Sequence, residues 1–203
     1  MKLLLTSKGL NTQKIKQTFQ SLLDKPTESI KVQILGVNPG LPDFDMNAYA
    51  DQDRQELVKL GVKPENILFN ELDKEPPTGF NNIDVIIVLG GSGYRYMHHL
   101  REHNLHQALK EFVESNKLYM GRSAGALVMG PSVDVGSWGQ FTNDIGLEDT
   151  SGFGFVDFIT VPHIENRENP ELAYEFHKET GHKMIYLTDE QAILVIDDLY
   201  KII

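Results

Sequence analysis

The stretch "KLYMGRSAGALVMG", residues 117 to 130, changes character in its middle, where an apolar run gives way to small residues before a second apolar run begins. That pattern reads as a strand, a tight turn and a helix. The turn places Ser123 between Gly121-Arg122 and Ala124-Gly125, a G-x-S-x-G pentapeptide. In such an elbow, bare flanks let a serine hold a backbone conformation that bulkier neighbours would block, and the amides opening the helix can donate to an oxyanion. The same residues suit a plainer reading, in which a small Ser123 lets the helix pack close to a sheet. The rest of the chain has to separate the two.

Moving outward, the strand-then-helix unit recurs. Short apolar runs, "KLLLTS", "SIKVQILGV", "ENILFNEL", "NNIDVIIVLGG", "NKLYMG", "DFITV" and "AILVI", read as strands. Between them, residues 11 to 25 repeat apolar positions at helical spacing behind Asn11, a residue able to cap, and residues 51 to 64 do the same and end at Gly61 and Pro64. Parallel neighbours need crossovers, and strands buried on both faces read as continuous apolar runs, so this alternation predicts an α/β fold of three layers. A mostly parallel sheet carries helices on both faces, with "DVIIVLGG" as a central strand. Ligands of such sheets gather beyond the carboxyl ends of the strands, which draws attention to the glycines after "IIVL" and "KLYM". The segment 36 to 50 reads as a loop. The longest irregular segment, 131 to 155, is expected to form the substrate-facing wall.

The 203 residues are taken as a single domain, 1–203, with ordinary globular composition: 40% hydrophobic and 24% charged. Asp and Glu outnumber Lys and Arg by 29 to 19, and a formal charge of -10 repels phosphate backbones and anionic lipid surfaces, so neither nucleic acid nor a membrane is expected as a partner. The absence of cysteine removes thiolate nucleophiles, disulfides and Cys-ligated zinc. The short apolar run after Met1 is too brief for a secretory leader, and a cytoplasmic protein is expected.

A serine attacks only when a base takes its proton, and the base needs a third group to orient it. The histidines therefore decide the reading of Ser123. His98, His99, His103 and His106 lie in "YMHHLREHNLHQALKEF", with His99, His103 and His106 on one helical face; the segment lacks H-E-x-x-H, reads as a polar helix surface, and no metal is expected there. His177 and His182 sit in a polar stretch. His163 follows "DFITVP" and so falls at a strand end, where a fixed catalytic group is well mounted. Asp189 and Glu190 occupy a turn before the last apolar run, where a carboxylate could orient a histidine or cap a hairpin. "IIVLGGSGYR" matches neither phosphate-loop pattern, and its better use is a backbone N–H near Gly91 or Ser92 that joins Ala124 in a two-donor oxyanion hole. The order Ser, His, acid differs from that of the α/β-hydrolases.

Taken in order, the "LLLTS" strand, the "GG" turn, the "GRSAGA" elbow, the "PH" after a later strand and the "LTDEQAI" turn resemble the peptidase E and cyanophycinase family of serine peptidases. The resemblance implies a flavodoxin-like or class I glutamine-amidotransferase-like fold, with Ser123 as nucleophile and His163 as base. It implies Asp189 as acid, with Glu190 as the alternative, and the Gly91 and Ala124 amides as oxyanion donors. It implies hydrolysis of short peptides by an acyl-enzyme route without cofactor, in a monomer or homodimer. A preference for N-terminal aspartate would need a cation facing the substrate carboxylate; Arg122, Arg95 and Arg167 are candidates by location. Two other readings stay open: a non-catalytic small-molecule binding module, and an esterase or amidohydrolase on the same fold.

Overall fold

The apolar runs pair into one seven-stranded sheet in a computed structural model that describes residues 1–135 and 138–203. Five strands are parallel: β1 (Lys2–Thr6), β2 (Val32–Gly36), β3 (Ile67–Glu71), β4 (Val85–Val88) and β5 (Leu118–Arg122), in the order β3-β2-β4-β5-β1. β4 and β5 lie at the centre, and every residue of β2, β4 and β5 is buried, as double-sided packing requires. A second, two-stranded parallel sheet joins β6 (Phe158–Val161) to β7 (Lys183–Tyr186), with α6 (Glu171–Thr180) as the crossover. On the other side of β1, β8 (Ala192–Ile196) and β9 (Leu199–Ile202) close the large sheet as an antiparallel edge.

Alternation along the strands builds two cores. Leu4, Ile34, Ile87 and Met120 face α1 (Gln13–Ser21) and α2 (Met46–Lys59), which contribute Ile15, Phe19, Ala50 and Leu57. Leu3, Leu5, Leu35, Ile86, Val88 and Tyr119 face α3 (Gly93–Glu102), α4 (Leu105–Glu114) and the short α5 (Ala124–Leu127). Each fully buried aliphatic or aromatic side chain contributes about 1.5–3 kcal/mol, so the two faces together hold the three layers.

Three local expectations need correction. Thr12, not Asn11, caps α1, accepting from the Ile15 amide, while Asn11 reaches across to the Asp189 carbonyl at 2.7 Å. α2 spans Met46–Lys59 rather than 51 to 64, because Asp45 caps it through the Ala48 amide and Gly61, at φ +98°, turns the chain away. His99, His103 and His106 do not share one helix. α3 ends at Glu102 and the left-handed Asn104 (φ 57°) separates it from α4, so His106 leaves the group and stacks on Phe153 instead.

Candidate active site

β5 delivers Ser123 at its carboxyl end, and the backbone there is unusual. Ser123 has φ 51° and ψ −108°, outside the left-handed helical well, a conformation that costs on the order of 1–3 kcal/mol. Its amide donates to the Thr6 carbonyl at 2.9 Å, and its carbonyl accepts from Ala126 and Leu127, which ties the strained residue to β1 on one side and to the start of α5 on the other. The two glycines of the pentapeptide are required by contact rather than by conformation. A Cβ on Gly121 would meet the Gly125 carbonyl oxygen at 2.3 Å, and one on Gly125 would meet the Val88 carbonyl oxygen at 2.1 Å. The elbow is pressed between β4 and β5, and only bare residues fit.

Ala124 and Gly91 sit on the same cleft as Ser123. Among the described residues neither of their amides has an acceptor within the protein, so both N–H groups are available to a ligand oxygen. Gly91 reaches this position with φ +139°, a value that L side chains rarely adopt.

Across the cleft, β6 and Pro162 carry His163, itself in the left-handed region at φ 58° and ψ 36°. Four of the six non-glycine residues with positive φ among those described are Asn or Asp, which tolerate it; the other two are Ser123 and His163. His163 Nδ1 is in close contact with Asp189 Oδ1. Asp189 sits in a turn closed by Gln191, whose side chain accepts from the Thr188 amide while its own amide donates to the Thr188 carbonyl. The Asp189 amide donates to Glu165 Oε1 at 2.6 Å, and Lys8 and Asn166 contact Oδ2 at 3.3 and 3.1 Å. Burial pushes the Asp189 carboxyl up, but the hydrogen bond and charge of His163, with Lys8 behind them, outweigh it and hold the carboxyl below its ordinary value. Glu190 is exposed and makes no hydrogen bond or ion pair with His163 among the described residues.

Ser7 escaped the sequence reading. It is fully buried at the carboxyl end of β1, where its Oγ accepts from the His163 amide at 2.9 Å, lies 3.3 Å from His163 Nδ1 and donates to Asp189 Oδ1 at 3.2 Å. A serine ending a parallel strand carries no spacing pattern; its position at the carboxyl edge of the sheet was the one available signal. Ser123 Oγ and His163 Nε2 have no hydrogen-bond partner among the described residues, and both residues line one narrow space of about 50 Å³. Catalytic hydrogen bonds in ligand-free enzymes are often open in this way and tighten around substrate.

That narrow space continues past His163 into a larger cavity of about 640 Å³ bordered by Lys8, Asn166, Arg167, Leu172 and Asp189. Trp138, Gly139 and Gln140 line both, so the segment 131–155 does form a wall of the cleft; its residues 136 and 137 lie outside those described. Of the three candidate arginines, Arg122 is buried against Asp53 at 2.7 Å and Arg95 pairs with Asp144 at 2.6 Å. Arg167 borders both spaces and has no carboxylate partner among the described residues. Its guanidinium lies over the Trp138 ring and donates to the carbonyls of Pro162 and Trp138, and burial pushes its pKa down.

The family model described as peptidase family S51 matches residues 3–203. The chain belongs to that family. It is a serine-type peptidase. Its S51 relatives include an uncharacterized peptidase of Listeria monocytogenes, 25% identical over 155 residues that cover 74% of this chain and 76% of the relative. Peptidase E of Salmonella newport is 26% identical over 149 residues, 72% of this chain and 61% of the enzyme, and peptidase E of Salmonella typhimurium matches over about half its own length (29% identity, 58% of this chain). The fold agrees with that of a crystal structure of a candidate peptidase E from Listeria monocytogenes, with a TM-score of 0.80, 18% identity, and coverage of 100% of this chain and 97% of that one. A peptidase from an acI-B1 Actinobacterium superposes with a TM-score of 0.72, also at 18% identity, over 100% of this chain and 86% of its own.

Proposed function

We propose that this S51 peptidase hydrolyses short peptides through Ser123, His163 and Asp189, and that it acts on a small peptide with an acidic N-terminal residue. The observation that carries the reading is the meeting, on one cleft, of a strained serine at a helix start and a histidine already bound to a carboxylate. His163, with Nδ1 held by Asp189, takes the Ser123 proton at Nε2. Ser123 Oγ attacks the peptide carbonyl, and the Gly91 and Ala124 amides receive the negative oxygen. His163 then returns the proton to the leaving amine, and water releases the acyl group by the reverse path. No step draws on a cofactor. Arg167 supports the acidic preference, because it borders the cleft as a partly buried cation with no ion-pair partner among the described residues, and such a cation favours a ligand carboxylate.

The same reading takes residues 1–203 as one domain working in the cytoplasm, as a monomer or homodimer. The net charge of -10 supports small-molecule substrates over polyanions. The test is a mass-spectrometric digest of a dipeptide library containing N-terminal Asp, Glu and neutral residues, with wild type and Ser123→Ala side by side. Turnover is expected from wild type and a fall of about 10⁴-fold or more in the variant, with substrate affinity retained. Equal turnover by both proteins sinks the assignment of Ser123; binding of dipeptides by both with turnover by neither supports a binding module instead.

A further inference from the structure

The break between α3 and α4 assembles a cluster that the linear reading scattered. His98, His99, Glu102 and His103 occupy the last turn of α3 and its C-cap, and the three imidazoles converge on a single oxygen, Glu102 Oε2. His99 Nδ1 lies 3.0 Å from it, His103 Nε2 3.6 Å and His98 Nε2 3.8 Å. A tetrahedral zinc ion with bonds of about 2.0–2.1 Å keeps its donors about 3.3–3.4 Å apart, and the separations of His99 and His98 from the Glu102 oxygen lie on either side of that value. Ligand atoms of His98, His99 and Glu102 all fall within 4.8 Å of one another, and His103 stacks on His99 with ring centroids 5.9 Å apart.

We propose that the C-terminal turn of α3 is a binding site for a divalent first-row transition ion, zinc foremost, held by His98, His99 and Glu102 with the remaining position left to water. Two imidazole nitrogens and one carboxylate suit zinc, nickel or copper; calcium and magnesium call for oxygen. The acidic balance of the chain adds a long-range attraction for cations. The site stands apart from the chemistry: the Gly91 turn precedes the opposite end of α3, a helix about 15 Å long at 1.5 Å per residue. Bound there, the ion clamps the last helical turn just before Asn104 reverses the chain. Its effect is on stability rather than on turnover.

The experiment is calorimetric titration of the full, untagged and chelator-treated chain with Zn²⁺ alone, followed by thermal unfolding with and without the ion. The expected result is one saturable equivalent, a raised Tm and unchanged peptidase turnover. His99→Ala and Glu102→Gln should each weaken binding by about tenfold or more, and circular dichroism should show that both remain folded. The equivalent should persist in His163→Asn and in His177→Ala/His182→Ala, which separates it from the catalytic histidine and from the other exposed ones. Absence of saturable binding up to about 0.1 mM, an affinity floor near 5 kcal/mol, overturns the proposal. So does binding that survives the His99→Ala/Glu102→Gln pair, or that disappears with His163→Asn. None of these outcomes depends on whether Ser123 is the nucleophile.

Discussion

Arg122 and Arg167 both neighbour the same serine, one along the chain and one across its cleft, and have opposite electrostatic fates. Arg122 directly precedes Ser123 in the chain, yet only 8% of it is exposed. Its guanidinium is matched by Asp53 at 2.7 Å, bonded to Gln52 at 3.3 Å and stacked on the Tyr49 ring at 4.4 Å. Arg167, far along the chain, shares the cleft with Ser123 and is held by carbonyls and an indole face but, among the described residues, by no carboxylate. A charge neutralised inside the protein serves the fold; a charge left unmatched where a cavity opens is available to a ligand. Closeness in sequence to the nucleophile is therefore a poor guide to substrate contact, and the counter-ion is a better one.

The largest effect that tests this contrast is on stability. Arg122→Met leaves the Asp53 carboxyl buried beside a hydrocarbon, and breaking such a pair from one side costs about 3–5 kcal/mol. Burial already pushes the Asp53 pKa up, against the pull of Arg122, so loss of the guanidinium removes the main term favouring its charged form. Urea unfolding of Arg122→Met should show that loss, and Arg122→Met/Asp53→Leu should recover most of it. The folded fraction of either variant should keep the wild-type ranking of substrates. A changed ranking with intact stability would move Arg122 into the recognition site and break the contrast.

Arg167→Met should do the reverse. Removing a partly buried cation that faces a substrate carboxylate costs about 2–3 kcal/mol, so kcat/KM for a dipeptide with N-terminal Asp is expected to fall about a hundredfold. A dipeptide with N-terminal Ala should lose much less. Parallel steady-state kinetics on the two substrates measure the difference, and an equal loss on both would mean that Arg167 only braces Pro162 and Trp138.

How much of this was legible beforehand depends on whether the information is local. The central strands could be read because residues buried on both faces must be apolar, and "VIIV" and "LYMG" have no other good use. Ser123 was legible from its glycines, and the structure explains why: each touches a neighbouring backbone that leaves no room for a side chain. The start of α2 was hidden, since "MNAYA" has the look of a loop until Asp45 is seen to cap it. β9 was missed although Leu199, Tyr200 and Ile202 are apolar: it is an exposed edge strand, so it shows neither the alternation of a half-buried strand nor a full apolar run. The contact of His163 with Asp189 and the unmatched charge of Arg167 are properties of pairs of distant segments. No single stretch of sequence contains them.

Ser7 is the neutral counterpart of the two arginines and has the smallest expected effect. Its hydroxyl accepts from the amide of the left-handed His163 and donates to the Asp189 carboxylate. Ser7→Ala leaves the partly buried His163 N–H without its acceptor, at a cost of about 1–3 kcal/mol to be divided between stability and the alignment of the imidazole. We expect a fall of about tenfold in kcat with KM little changed, because a tilt of His163 weakens proton transfer without altering how substrate is held. The loss should be the same for N-terminal Asp and N-terminal Ala dipeptides, in contrast to Arg167→Met. A residue that positions the base acts on every substrate alike, whereas one that recognises a side chain discriminates. If Ser7→Ala lowered only stability, with kcat intact on both substrates, its hydrogen bonds would belong to the fold and the His163–Asp189 contact would suffice to hold the base.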